Sequence, residues 1–381
     1  MKIGIVCYPT YGGSGVVATE LGKALAQRGH QVHFISYKQP ARLDFFAENI
    51  FYHEVYVSSY PLFDFPPYES TLTSRLVDVV KFEKLDILHV HYAIPHAAAA
   101  VMAKHILSKE GIHIPVVTTL HGTDITLVGK DKALESVVSY SLNESDGITS
   151  VSDSLKKDTY ALFNVNKDIL VIPNFIDIKR FSKQPREHFR KAVTPAGEKL
   201  LVHTSNFRKV KRVEDVMKVF SMVIKQVNAR LLLVGDGPER HNIEQLCREL
   251  DICEKVSFLG KQDAIEEILS ICDLFLMPSE TESFGLAALE AMACEVPVVS
   301  SNAGGIPELN VEGETGFLCN VGDVDAMAEK SIFILSDEQR LKVFKQKAKQ
   351  RALLFDIDKI VPLYEDYYNW VLQQVQTAIG G

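Results

Sequence analysis

Short β-branched runs alternate with amphipathic segments along the whole chain, and the alternation stops once and then starts again. Alternation of this kind builds parallel sheets joined by crossover helices. In the first half the expected strands are KIGIVC (2–7), QVHFISY (31–37), ILHVHY (87–92), PVVTTLH (115–121), GITSVS (147–152) and ILVIPN (169–174). In the second half they are LLVHTSN (200–206), ARLLLVGDG (229–237), KVSFLG (255–260), DLFLMPS (273–279), PVVSS (297–301) and GFLCN (316–320). Between the halves, residues 176–199 lose the periodicity and gain Pro, Lys and Arg, and read as a linker. The expectation is an α/β chain of two Rossmann-like, doubly wound domains, residues 1–175 and 200–359. A final amphipathic stretch, 360–381, has no strand after it and is expected to cross back and brace the first domain. Ligands of such sheets bind beyond the carboxyl ends of the strands, so two such edges facing each other would make a deep central cleft.

A chain of 381 residues exceeds one ordinary core, in line with two domains. Its net charge of −8 argues against a nucleic-acid groove or an anionic membrane surface, though not against a small anionic substrate in a locally positive pocket. The start MKIGIVCYPTYGG turns to Gly and Pro too soon for a signal peptide, and no apolar stretch approaches the ~20 residues of a membrane span. Six cysteines at 7, 247, 253, 272, 294 and 319 show no metal-type or redox-type pairing, as in reduced, cytoplasmic proteins.

The stretch ESFGLAALE places seven residues between Glu282 and Glu290, after the strand DLFLMPS and at the start of a helix. On one continuous helix, carboxylates eight apart would be separated by ~12 Å, so the two can address different parts of a long ligand. The N–H groups of Phe284, Gly285 and Leu286 at the helix start favour a phosphate. Two random glutamates would more often be solvated charges. Glu290, however, sits in the otherwise small and apolar run GLAALEAMA, where an acid needs a partner. Two acids for hydroxyls and a helix start for phosphate describe a nucleotide-sugar site.

Other strand ends carry polar clusters. Gly13-Ser14-Gly15-Val16-Val17-Ala18 matches the dinucleotide fingerprint weakly, because the lead-in from Cys7 is long and no acid ends the next strand. A flexible loop offering N–H groups to a carboxylate or phosphate is the better reading. TTLHGTD ends a strand with His121, Thr123 and Asp124. His89 and His91 share a strand face, but without an acid or Cys partner no metal site is expected. SNFRKVKR places four cations in five residues at a strand end, which favours a diphosphate over a merely solvated loop. VGDGPER and SNAGGIPEL form similar strand-end turns.

Together ESFGLAALEAMACEVPVVSSNAGGIPEL, the GGSG loop, HGTD and SNFRKVKR resemble the retaining GT-B glycosyltransferases of the large family four, over essentially the whole chain. The stretches MKIGIVCYPTYGGSGVVATELG, LHVHYAIPHA, TLHGTDITLVG and HTSNFRKVKRVEDV resemble in particular those members that join N-acetylglucosamine to L-malate. The resemblance implies UDP-N-acetylglucosamine and L-malate as substrates, with no cofactor and no metal, and leaves homo-oligomerisation open. It implies that Glu290 holds the ribose, and that Glu282 with Ser283, Phe284, Gly285 and Leu286 holds the sugar. Gly15 would also serve the donor. Lys211, with Arg208, would neutralise the leaving diphosphate, and His121 would lie near the anomeric carbon.

In one respect the chain departs from the family, which usually has an Arg where Asn206 stands here, while Lys211 matches the family Lys. Malate needs N–H donors and a cation, for which Gly13, Ser14, Tyr92, Thr119, Asn206 and Arg208 are the candidates, Arg208 being the cation. Other acceptors, such as an inositol phosphate, a lipid or a sugar, would keep the fold and donor. A non-hydrolysing UDP-sugar epimerase would share the architecture but not ESFGLAALE. A nicotinamide dehydrogenase fails on the missing ribose acid, and a pure binding protein would not need Lys211 beside Glu282.

Overall fold

The computed structural model describes residues 1–10, 12–43, 47–57 and 64–380; Tyr11 of the glycine-rich loop lies outside the described residues. The chain divides into two compact units, one made of Met1–Asn174 with Ile357–Gly381, the other of Phe175–Asp356.

The first unit holds strands β1 (Lys2–Val6), β2 (Gln31–Ser36), β3 (Ile50–Glu54), β4 (Ile87–His91), β5 (Val116–Leu120), β6 (Gly147–Ser150) and β7 (Ile169–Val171). They pair in parallel in the order β3-β2-β1-β4-β5-β6-β7. The second unit holds β8 (Lys199–Ser205), β9 (Ala229–Gly235), β10 (Val256–Gly260), β11 (Leu274–Met277), β12 (Val298–Ser301) and β13 (Gly316–Cys319). Its order is β10-β9-β8-β11-β12-β13, again all parallel. Both are Rossmann-like, doubly wound sheets. The winding reverses between β1 and β4 in one and between β8 and β11 in the other, which is where such sheets take their ligands.

Every central strand is buried, because a parallel sheet is covered on both faces by its crossover helices. Helix Val213–Val223 shows how the sequence achieves this: Val216, Phe220 and Val223 face the sheet and pack with Leu231, Leu233, Leu274 and Leu276. One strand was not expected. β3 lies at the sheet edge with Phe51 and Tyr52 exposed, so IFYHE carries neither a β-branched run nor a clean alternation.

Residues 176–199, expected as a linker, fold within the second unit. Residues Glu187–Val193 are helical, Arg180 bonds Glu266, Arg186 bonds Glu267, and Arg190 reaches Asp273 at 2.7 Å. Asp273 is only 3% exposed and also pairs with Lys345, so one of the cations that break the periodicity, Arg190, is a counter-charge of a buried acid.

The last helix, Ile357–Gly380, packs in the first unit. Tyr368 Oη lies 2.7 Å from His89 Nδ1 inside β4, Tyr367 Oη accepts the Ile148 N–H, and Glu365 takes Arg28 and His30. Gly147 is needed beneath it, since a Cβ there would stand 2.9 Å from the Tyr367 ring. Among the described residues no helix is long and apolar enough to cross a membrane.

Candidate functional site

In the second unit the reversal point is formed by the chain leaving β8 and the chain leaving β11. The basic loop after β8 is anchored from below. Burial holds the His203 ring neutral, with its pKa pushed down to about 4. Its Nδ1 meets the Leu276 carbonyl of the neighbouring strand at 2.8 Å, and its Nε2 meets Ser205 Oγ at 2.8 Å. Ser205 Oγ in turn accepts the Phe207 N–H. Phe207 is fully buried with φ at +36°, and Gly237 must be glycine because a Cβ would come within 2.0 Å of the Asn206 carbonyl. The four cations then separate. Arg212 is drawn onto the buried Asp215 at 2.6 Å, a structural role the sequence did not disclose. Lys211 donates to Glu282, while Arg208 and Lys209 are exposed.

The loop after β11 brings Glu282 to that lysine. The Glu280 N–H donates to the Val210 carbonyl at 2.8 Å, which ties the two loops together. Ser279 Oγ donates to Glu282 Oε1 at 3.2 Å, so the carboxylate is held from two sides. The glycines of SNAGGIPEL clamp its backbone. The Gly305 N–H donates to the Glu282 carbonyl, and at Gly304, with φ at +57°, a Cβ would lie 2.0 Å from that same oxygen.

Gly285, at φ +93°, opens helix Leu286–Ala293. Ser283 and Leu286 are half-buried beside it, and Glu290 is half-buried on a helix that otherwise buries Ala288, Leu289, Ala291 and Met292. The Phe284 ring is buried 5.5 Å from that of Phe355, so only its backbone could meet a ligand.

In the first unit, Gly13 starts helix Gly13–Gln27, and the preceding loop folds so tightly over Gly15 that a Cβ would fall 2.4 Å from the Thr10 carbonyl. Tyr92, at φ +91°, ends β4; its Oη accepts from Ser14 Oγ at 3.0 Å and from Thr123 Oγ1 at 2.9 Å. Its ring stacks on His121 at 5.6 Å and meets Tyr8 edge-on at 5.2 Å. Asp124 organises the HGTD loop by accepting the N–H groups of Ala93, His121 and Gly122. Burial raises its pKa to about 6 against the pull of those N–H donors. Gly13, Ser14, Gly15, Tyr92 and His121 therefore form one constellation; Asn206 and Arg208 belong to the other unit and are exposed there.

Thr119 is a correction. Its hydroxyl is fully buried, 2.6 Å from both Thr149 Oγ1 and His89 Nε2, so it knits strands together instead of presenting to an acceptor. The His89 ring nitrogens are both engaged, by Thr119 and Tyr368. His121 Nε2 meets His91 Nδ1 at 2.8 Å, while His91 Nε2 is buried without a partner. A bare lone pair is cheaper to bury than a bare N–H donor, so the proton belongs on His91 Nδ1. His121 then accepts through Nε2 and carries its own proton on Nδ1. Sequence reasoning missed His96 and His91 as supports of this cluster; their only signal was polarity at a strand's carboxyl end.

Residues 11–180 match the family described as Glycosyltransferase Family 4, and residues 184–351 that described as Glycosyl transferases group 1. N-acetyl-alpha-D-glucosaminyl L-malate synthase of Bacillus anthracis is 48% identical over 375 residues, covering 98% of this chain and 98% of its own. Sulfoquinovosyl transferase of Arabidopsis thaliana is 27% identical over 310 residues, 78% of this chain and 59% of its own. Among solved structures, Anabaena Alr3699/HepE in complex with UDP and glucose aligns with a TM-score of 0.83 at 20% identity, covering 97% of this chain and 99% of its own. Sucrose-phosphate synthase from Thermosynechococcus elongatus aligns with a TM-score of 0.82 at 21% identity, covering 98% and 99%. At such identities these structures share the fold.

The buried imidazoles set an acid limit on the first unit. Burial lowers His89 and His121 to about 3 and His96 to about 4, and His91 well below 6.5. The unfolded chain therefore binds more protons than the folded one between about pH 4 and 6.5, and stability falls as pH drops through that window. Asp124, raised to about 6, works in the opposite sense between about pH 4 and 6, but is one group against four. Circular dichroism should show cooperative loss of structure between pH 6 and pH 4; full structure at pH 3.5 would refute this balance.

Proposed function

The chain belongs to the family-four GT-B glycosyltransferases, and from that premise we propose that it moves N-acetylglucosamine from UDP-N-acetylglucosamine to the hydroxyl of L-malate, the opening step of bacillithiol biosynthesis. The observation that carries the transfer chemistry is the Lys211–Glu282 pair where the strand order reverses between β8 and β11. The choice of donor and acceptor is supported by the relative whose name states it, alike over 98% of both chains.

In this reading Glu290 accepts the ribose hydroxyls, and Glu282 with the backbone of Ser283, Phe284, Gly285 and Leu286 holds the sugar. Lys211 begins as half of a neutral pair. Negative charge grows on the diphosphate as the glycosidic bond breaks, so attraction to the ammonium strengthens in the transition state, where it speeds the reaction. A lysine already in place makes a divalent cation unnecessary for that step. Malate attacks from the face that UDP leaves, so the product keeps the α configuration. Ser14, Tyr92 and the N–H groups at Gly13 serve malate, Gly15 and His121 serve the donor sugar, and Asn206 with Arg208 adds polar and cationic contact.

UDP release should be fastest with L-malate among a panel of acceptors, and the product should be the α anomer by NMR. Release with a sugar or polyol but none with malate would leave only the fold and donor standing. Lys211→Ala should lower kcat by about a hundredfold or more with a smaller change in donor affinity, and EDTA should leave the initial rate intact. A strict need for magnesium or manganese would contradict this mechanism.

For Glu290→Ala, calorimetry should show UDP binding about tenfold to a hundredfold weaker, the worth of one charged hydrogen bond. Unchanged affinity would remove Glu290 from the donor site. Arg208→Ala should raise KM for malate strongly while sparing UDP affinity. If both weaken alike, Arg208 serves the diphosphate.

A further inference from the structure

Away from the strand ends that face the transfer chemistry, β2, β3 and helix Tyr68–Glu83 bring His33, His53 and Glu83 together. One donor atom of each lies within 4.8 Å of the other two. We propose that these three side chains form a site for one divalent transition-metal ion of the zinc class, separate from the transfer chemistry.

The register of the edge strands creates the pair of imidazoles. His33 lies opposite Phe51 and Ile35 opposite His53, so both histidines point to the same face of the sheet. His33 is 1% exposed, and Phe51 stacks on its ring at 4.7 Å and 17°, which fixes its orientation. His33 Nδ1 stands 3.0 Å from His53 Nε2. A shared proton accounts for these two nitrogens, as in any neutral imidazole pair. It does not account for the third member. The Glu83 carboxylate has no hydrogen-bond or ion-pair partner among the described residues, although Lys2 Nζ donates to its backbone carbonyl at 2.8 Å.

A metal uses all three groups. Each neutral imidazole carries its one proton on the nitrogen turned away, Nε2 of His33 and Nδ1 of His53, and the two facing lone pairs with one carboxylate oxygen make a His-His-Glu set. That set, with water in the fourth place, suits zinc. The charges nearby sharpen the choice. Lys2 and Arg75 both act on these histidines as cations, against the single carboxylate of Glu83. Binding must therefore come from nitrogen coordination and not from a negative field, which favours zinc, cobalt or nickel over calcium and magnesium. His33 Nε2 has no partner, so its N–H would lack the acceptor that usually completes such a site, and affinity falls below that of a fully supported one.

The test uses the full chain, treated with chelator and desalted, then titrated with ZnCl2 by calorimetry and with CoCl2 by visible absorption. One Zn2+ per chain is expected, with a four-coordinate cobalt spectrum, a raised Tm on adding zinc, and no response to CaCl2 or MgCl2. His53→Gln and Glu83→Gln avoid the buried ring and should fold; each should weaken zinc binding at least about tenfold while the initial rate of UDP release stays at the wild-type value. Absence of stoichiometric zinc binding in the wild-type chain overturns the proposal, as does undiminished binding in both variants.

Discussion

Parallel strands cannot be joined by tight turns, so each strand must hand the chain to a crossover that returns on one face or the other. Where successive crossovers switch faces, two adjacent strand ends open onto loops that diverge. The chemistry of both units depends on that constraint. It leaves backbone N–H groups and polar side chains unpaired by the sheet at β1–β4 and at β8–β11, where glycines such as Gly15, Gly237 and Gly304 let the loops crowd against carbonyls.

At β8–β11 the diverging loops are stitched back together in layers. His203 joins the strands beneath, the Glu280 N–H joins the loops above, and Lys211 meets Glu282 at the top. Each layer fixes the one above it. An ammonium and a carboxylate held this way need little reorganisation when a charged ligand arrives, which is what the proposed transfer asks of Lys211 and Glu282.

The layers also explain how much could be read from the sequence. Twelve strands were visible as apolar runs, whereas β3 was not, since IFYHE leaves Phe51 and Tyr52 exposed and mixes them with polar residues. Glu282 could be singled out by its place between an apolar strand and a helix start, and Lys211 by the basic run at a strand end and its match to the family lysine. Their pairing, across 71 residues of chain, came from the resemblance and not from any local spacing. Thr119 was misread because strand ends alternate ligand-facing with core-facing positions, and only packing shows which is which. The segment 176–199 looked like a linker because its arginines answer acids some 80 positions away: Arg190 the buried Asp273, Arg180 and Arg186 the carboxylates of Glu266 and Glu267.

The closing of the first unit by the last helix bears on how the chain comes into being. Synthesis delivers seven strands within the first 171 residues, yet His89 gains its Tyr368 partner, and Gly147 its cover, only when the final turns emerge. The second unit, by contrast, has all of its own strands by residue 319 and ends at Asp356. On a ribosome, the half that is begun first is therefore the half that is finished last.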